Sequence, residues 1–449
     1  MIRLGLHETA KCLACAPPDP DIKFTGVSID SRKVAPGNLF AALSGRHSDG
    51  HDYVATAAEA GAAAALVSKP LNLELPQLVV KDVQAALGTL AAAWRSRMDA
   101  RAVAITGSNG KTTTKEMVTN ILAGQSDVLS TQGNFNNELG LPLTLFGLGP
   151  DHDFAVLEMG AAKVGDIRYL ARIAQPEVGL ITNVGPAHLQ GFGSEKGVAR
   201  AKGEIYQELP ASGVAIINGD EPWEPLWREM SAAGKIIVFG RGPACDVTVA
   251  DTAGGVEVQT PAGAFPLKLS LPGEHNVQNA LAATAAALAL EIPLDQVRTG
   301  LEQTRPVPGR LNIVHSDGGW TVIDDTYNAN PASLYAALQV LSRRQGERWL
   351  VLGDMKELGR DSRKMHAEMG EAARALGVVR LLATGDSSHA TVDAFGDGGR
   401  HFSDVQALID HLCAELEPGV TCLVKGSRSM GMERAVQAIS QDCSIREAG

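Results

Sequence analysis

Thr106-Gly107-Ser108-Asn109-Gly110-Lys111-Thr112-Thr113 is the stretch on which the reading of this fold turns. The run that leads into it, Ala102-Val103-Ala104-Ile105-Thr106, is short and apolar and reads as a buried strand. From Thr112 onward the pattern reads as a helix. A glycine turn between a strand and a helix is the context a phosphate-binding loop requires. The glycines let backbone N–H groups turn inward around phosphate oxygens, and the helix dipole adds to that attraction. Lys111 can reach outer phosphates, and the Thr112 hydroxyl can ligate magnesium. The general pattern G-x-x-x-x-G-K-[ST] wants glycine at position 105, where this chain has Ile105, so the loop is a shortened relative of it. An ordinary glycine turn capped by threonines is the plainer alternative.

Strand and helix signals alternate outward from this loop. Residues 154–157, 178–184, 214–218 and 235–239 read as strands with helical stretches between several of them, which argues for a mainly parallel sheet covered on both faces. Residues 246–271 read as a small β excursion, and the alanine-rich stretch 276–290 as a helix. A further α/β unit starts near residue 312, with strands at 321–324, 349–352, 380–383 and 421–424 and helices at 332–342, 362–376, 404–416 and 430–439. Residues 1–82 look like a small α/β unit, and a helix over 83–98 leads out of it. Arg305-Pro306-Val307-Pro308-Gly309 reads as a hinge. The expected architecture is α/β in three domains: 1–82, 83–311 and 312–449.

With 449 residues, 45% of them hydrophobic, the chain can fill several cores. The net charge of −11 argues against a general nucleic-acid binder, which needs a basic face to displace counterions. An anionic ligand is still allowed, because a local glycine loop binds phosphate on an acidic protein. No segment reaches the ~20 apolar residues that span a bilayer, and Met1-Ile2-Arg3-Leu4-Gly5 lacks a secretory core. Six scattered cysteines suit a reducing compartment, so a cytoplasmic protein is expected. Cys12 and Cys15 form a lone C-x-x-C with no second pair nearby, and two ordinary thiols is the simpler reading.

Three residues suggest chemistry beside the loop. Glu158 ends the apolar run Phe154-Ala155-Val156-Leu157, and ligands of open α/β sheets lie beyond the carboxyl ends of strands. It is placed to hold magnesium, or else serves as a helix N-terminal carboxylate. His188 follows another such strand end, as metal ligand or structural histidine. Lys202 is open to three readings: a solvated helix lysine, a phosphate contact, or an amine that takes up carbon dioxide to become a carbamate ligand. Magnesium would answer a definite need if an anionic carboxylate must approach an anionic triphosphate.

These residues together resemble the Mur ligase family of peptidoglycan synthesis. Matching segments run through nearly the whole chain. They include Ser28-Ile29-Asp30-Ser31-Arg32, Asp49-Gly50-His51-Asp52-Tyr53, the phosphate loop with Thr114-Lys115-Glu116, and Gly133-Asn134-Phe135-Asn136-Asn137-Glu138. Glu158-Met159-Gly160-Ala161, Thr182-Asn183-Val184-Gly185-Pro186-Ala187-His188 and Gly273-Glu274-His275-Asn276 follow. The C-terminal half adds Asp324-Asp325-Thr326-Tyr327-Asn328-Ala329-Asn330-Pro331, Leu352-Gly353-Asp354-Met355 and Lys425-Gly426-Ser427-Arg428.

The resemblance implies an ATP-dependent, ADP-forming ligase with three parts: an N-terminal domain for a UDP-sugar, a central ATPase domain and a Rossmann-like C-terminal domain for an amine. It implies that Gly107, Ser108, Asn109, Gly110, Lys111, Thr112 and Thr113 bind ATP phosphates, with Asn276, Arg310 and Asp325 on the rest of the nucleotide. Thr112, Glu158, His188 and a carbamylated Lys202 would hold magnesium. Ser31, Arg32, Asn134 and Asn137 would meet the UDP-sugar-peptide, and Tyr327, Asn328, Asn330, Lys425 and Arg428 the incoming amine. The C-terminal motifs and the absence of an Asp-Asn-Pro-Arg signature point to the dipeptide-adding members. Their substrates are UDP-N-acetylmuramoyl-tripeptide and D-alanyl-D-alanine, and a monomer is expected. The rival readings are a ligase adding the third residue, a folylpolyglutamate synthase, or an ATP-hydrolysing switch.

Overall fold

The run containing the phosphate loop's strand lies inside a six-stranded sheet. A computed structural model of the chain describes residues 1–45, 48–185, 189–252 and 255–440. In it the central sheet is built from β1 (Arg101–Thr106), β2 (Val128–Ser130), β3 (Phe154–Glu158), β4 (Val178–Ile181), β5 (Val214–Asn218) and β6 (Lys235–Phe239). Their spatial order is β6-β5-β4-β1-β3-β2, and every pairing is parallel. Alternation along β1 explains how both faces are covered. Val103 and Ile105 join Met117, Ile121 and Ala283 on one side, whereas Ala102 and Ala104 join Leu90, Trp94 and Ile205 on the other. The first side is closed by α1 (Lys111–Ala123) and the alanine-rich α3 (Glu274–Ala289); the second includes α2 (Glu195–Gln207).

The C-terminal sheet consists of β7 (Asn312–His315), β8 (Thr321–Asp325), β9 (Arg348–Gly353), β10 (Arg380–Thr384), β11 (Gly399–Phe402) and β12 (Thr421–Lys425), in the order β7-β8-β12-β9-β10-β11. Only β7 runs antiparallel to its neighbour. The last strand in sequence, β12, therefore inserts between β8 and β9. Its register sets Asp325 directly opposite Lys425 at the carboxyl ends. A helix, α4 (Pro331–Ser342), follows β8.

The N-terminal unit carries four short parallel strands, Val27–Ser28, Leu39–Ala41, Ala64–Val67 and Gln77–Val79, and an antiparallel pair, Arg3–Gly5 with Lys23–Thr25. The helix Val83–Arg95 ties this unit to the central one: Trp94 Nε1 donates to Leu148 O at 2.9 Å and Arg95 Nε to Ala174 O at 3.0 Å. The β excursion is a three-stranded antiparallel sheet over Thr248–Thr252, Gly255–Thr260 and Gly263–Pro266. Among the described residues no helix is long and apolar enough to cross a membrane.

Several expected elements are shorter than their sequence patterns; the helix expected over 83–98, for one, ends at Arg95. The strand expected over 178–184 ends at Ile181, because Thr182 and Asn183 turn their side chains to the phosphate loop. The helix expected from residue 430 begins at Glu433, after a single 3-10 turn and Gly431 at φ 63°.

Candidate active site

The phosphate loop is shaped by glycines that no other residue can replace. Gly107 has φ 154°, and a Cβ there would lie 1.8 Å from Thr182 Oγ1; at Gly110, φ 80°, it would lie 2.3 Å from Asn279 Oδ1. The loop is gripped by the end of β4. Asn109 N donates to Asn183 Oδ1 at 2.9 Å, Thr182 Oγ1 to Asn109 O at 2.6 Å, and Gly185 N to Ser108 Oγ at 3.0 Å. Lys111 folds back on it, donating to Gly107 O at 2.8 Å. Burial lowers the Lys111 pKa; the Glu158 carboxylate opposes that shift and Arg310 reinforces it.

Glu158 is the last residue of β3 and is 1% exposed. Its Oε2 accepts from Thr112 Oγ1 at 2.6 Å and its Oε1 from Asn136 Nδ2 at 2.7 Å. Its own N–H donates to Thr131 Oγ1 at 3.0 Å, and Thr131 O accepts from the buried Lys115 ammonium at 2.6 Å. The carboxylate is thus held in one orientation by neutral donors. Lys202, on α2, is 4% exposed and has no hydrogen-bond or ion-pair partner among the described residues. Burial, and then the charge of Lys111, push its pKa well below the ordinary lysine range. His188 lies outside the described residues.

Across the cavity stands the carboxyl edge of the C-terminal sheet. Lys425, 2% exposed, bridges to Asp325 Oδ2 at 2.5 Å and donates to Asn328 O at 2.8 Å. Burial raises the Asp325 pKa against the pull of Lys425. The Arg310 guanidinium sits 4.0 Å from the centre of the Tyr327 ring. Asn276, in the first turn of α3, donates to Pro272 O at 2.7 Å and accepts from Asn279 Nδ2 at 3.1 Å. Asn330 Nδ2 reaches over to Asn109 Oδ1 at 2.8 Å.

One cavity of about 790 Å³ gathers most residues named from the sequence. Its wall contains Gly107, Ser108, Asn109, Gly110, Lys111, Thr113, Asn137, Glu158 and Lys202 from the central unit, and Asn276 at the start of α3. Arg310, Asp325, Tyr327, Asn328, Asn330 and Lys425 complete it. Thr112 is behind this surface, on Glu158. Four others are not on the wall. Ser31 and Arg32 lie in the N-terminal unit, where the Asp30 carboxylate takes Arg32 N, Nε and Nη2. Asn134 is exposed, and Arg428 faces Glu433 at 3.6 Å.

Sequence reasoning gave no role to several residues that shape this site. Asn136, not its neighbours Asn134 and Asn137, holds Glu158; three asparagines within four residues do not say which one turns inward. Thr182 and Asn183 grip the loop; the sequence sets them at the end of an expected strand and within a family-matching segment, but that gives them no role. Glu221 lines the cavity with its pKa raised by burial to about 7, and His275 with its pKa lowered by burial, aided by Lys425, to about 4.

A phosphate loop at the carboxyl edge of one parallel sheet, facing the carboxyl edge of a second across a shared cavity, is the arrangement of a nucleotide-binding enzyme with room for a further ligand beside the nucleotide. The sequence matches "Mur ligase family, catalytic domain" over residues 23–95, "Mur ligase middle domain" over 105–287 and "Mur ligase, glutamate ligase domain" over 309–428. The chain belongs to the Mur ligase family and is an ATP-dependent, ADP-forming ligase. It is 44% identical to the UDP-N-acetylmuramoyl-tripeptide–D-alanyl-D-alanine ligase of Escherichia coli K12, over 98% of this chain and 99% of that one. The crystal structure of MurF from Acinetobacter baumannii superposes with a TM-score of 0.90 at 35% identity, covering 98% and 99% of the two chains. The MurF ligase of Thermotoga maritima, in complex with ADP, gives 0.83 at 28% identity, covering 94% and 98%.

Proposed function

We propose that this chain joins D-alanyl-D-alanine to the terminal carboxylate of UDP-N-acetylmuramoyl-tripeptide, a step of peptidoglycan precursor synthesis, while ATP becomes ADP and phosphate. The observation that carries the reading is the shared cavity, in which the loop of Lys111 faces the Asp325–Lys425 edge, in a chain so similar to ligases of that name. A carboxylate oxygen of the tripeptide attacks the γ-phosphorus, the bond to ADP breaks, and an acyl phosphate forms. The dipeptide's amine then attacks the acyl carbon, loses a proton, and phosphate leaves. The first step is needed because a bare carboxylate has no adequate leaving group.

Lys111 and the loop amides orient the triphosphate, with Asn276, Arg310 and Asp325 toward the rest of the nucleotide. Ser31, Arg32, Asn134 and Asn137 are assigned to the UDP-sugar-peptide. Tyr327 and Asn328, with Lys425 on Asn328 O, are assigned to the amine, and so is Arg428 although it lies off the cavity wall. The donor set beside the loop suits magnesium, a hard cation that takes a few protein oxygens and fills its shell with phosphate and water. The Thr112 hydroxyl and the Glu158 carboxylate supply such oxygens, with His188 and Lys202 as further ligands. Bound there, the ion would neutralise the repulsion between carboxylate and triphosphate. Lys202 suits carbamylation, because a buried amine with a lowered pKa is neutral and can attack carbon dioxide. A nitrogen–carbon bond forms, one proton leaves, and the side chain becomes an anion.

One chain supplies every group assigned here, so a monomer suffices. The cysteines of the described residues are all free thiols, which suits the cytoplasm. An acceptor panel tests the reading. D-Alanyl-D-alanine should release one ADP and one phosphate per peptide bond, and single amino acids should release little. AMP with pyrophosphate, or ADP release that ignores the acceptor, would refute it.

A further inference from the structure

The two ends of the Asn330 amide go to different units of the molecule. Its Oδ1 accepts the N–H of Ser333 at 2.9 Å, and Ser333 Oγ accepts the N–H of Asn330 at 3.0 Å. This reciprocal pair closes a capping box on α4, whose first residue is Pro331. Its Nδ2 donates to Asn109 Oδ1 at 2.8 Å, on the far side of the hinge. Asn109 is not a free end, because its backbone N–H donates to Asn183 Oδ1 and its backbone carbonyl accepts from Thr182 Oγ1. The first turn of α4 also sits close to the loop. A Cβ added at Gly185 would have Ser108 Cβ at 3.8 Å and Ala332 Cβ at 3.9 Å. The helix leaves the carboxyl end of β8, next to Asp325 and Tyr327. A shift of Asn109 therefore reaches that turn through one rigid amide.

We propose that Asn330 is a positioning residue that couples the phosphate loop to the amine-binding edge of the C-terminal sheet, so that loading of the loop and docking of the acceptor are set by one side chain. This rests on the assignment of the loop to ATP and of the C-terminal edge to the amine. It does not require a direct contact between Asn330 and the dipeptide, because both ends of the amide already hold partners in the free protein. The Asn330–Asn109 bond joins the C-terminal unit to the central one at a point away from the hinge backbone.

Asn330→Ser separates the two roles. Serine caps a helix about as well as asparagine but is too short to reach Asn109. The variant should keep the helix cap and lose no more stability than one net hydrogen bond carries, while the KM for D-alanyl-D-alanine at saturating ATP rises roughly fivefold. The decisive reading is a double-mutant cycle with Asn109→Ala. If Asn330 acts through Asn109, N330S should raise the acceptor KM little further in the N109A background. An equal rise in both backgrounds, or none in either, would overturn the proposal. Hydrogen exchange over residues 304–312, measured without any ligand, runs the same cycle on the hinge. N330S should speed it, and should not do so in N109A. Wild type that ignores every acceptor would sink the functional reading, whereas exchange that N330S leaves unchanged would sink the coupling.

Discussion

The two sheet edges that face each other across the cavity treat charge in opposite ways. At the C-terminal edge Lys425 and Asp325 are buried as a completed ion pair, with the lysine further tied to Asn328 O. At the central edge Glu158 is buried on neutral donors and Lys202 on none among the described residues, with Lys111 close enough to depress the Lys202 pKa. The first edge is finished in the free protein. The second leaves its charges without a direct ion-pair partner among the described residues, although the Glu158 carboxylate acts on Lys111 through space. On the proposed function, phosphate would meet Lys111 and a cation would meet Glu158. The difference assigns positioning to one edge and chemistry to the other, and it predicts that the same substitution has opposite effects on the two.

Lys425→Met is expected to give the largest change in stability. It leaves Asp325 buried without a partner, and breaking a buried pair from one side costs about 3–5 kcal/mol. Chemical denaturation should show the loss. Adding Asp325→Asn should recover much of it, and the loss should shrink in acid as Asp325, whose pKa is already raised by burial, takes up a proton. A K425M protein as stable as wild type would mean that the pair carries no weight.

Lys202→Met should move stability the other way, by about 1–2 kcal/mol in bicarbonate-free buffer, because it removes a buried amine that has no partner among the described residues. The same protein should lose ligase activity. The pH dependence has a fixed sign. Between the lowered native pKa and the unfolded value near ~10.4, the unfolded chain holds the extra proton. Wild-type stability therefore rises with pH in that window, and the advantage of K202M narrows. Melting curves from neutral to alkaline pH would check this, and a gap that widened with pH would contradict it.

The contrast between the edges was only partly legible in the sequence. The buried strands of both sheets announce themselves as continuous apolar runs, because strands covered on both faces leave no room for polar alternation. Edge strands such as Val128–Ser130, Asn312–His315 and Gly399–Phe402 do not, because they are short and partly exposed. The phosphate loop was readable because its chemistry is local: glycines, lysine and threonine within eight residues. Pairing was not. That Lys425 meets Asp325 depends on β12 inserting between β8 and β9, a crossover of about a hundred residues that no spacing rule reports. The same holds for Asn136 on Glu158 and Asn330 on Asn109, where the sequence offered the right residue types but not which one turns inward.

The smallest expected effect on stability sharpens the comparison most. Glu158→Gln keeps the shape of the buried group. The amide oxygen can accept from Asn136 Nδ2 as Oε1 does now, and the amide nitrogen can donate to the Thr112 hydroxyl, which accepts as readily as it donates. No hydrogen bond need be lost, so stability should change by less than about 1 kcal/mol. What disappears is the negative charge. If Glu158 is there for an external cation, E158Q should fold like wild type, bind magnesium weakly in calorimetry, and turn over far more slowly. If its carboxylate instead balances a charge within the fold, as Asp325 balances Lys425 at the opposite edge, E158Q should lose stability and activity together. Measuring denaturation and magnesium binding on the one variant therefore decides which kind of charge this edge carries.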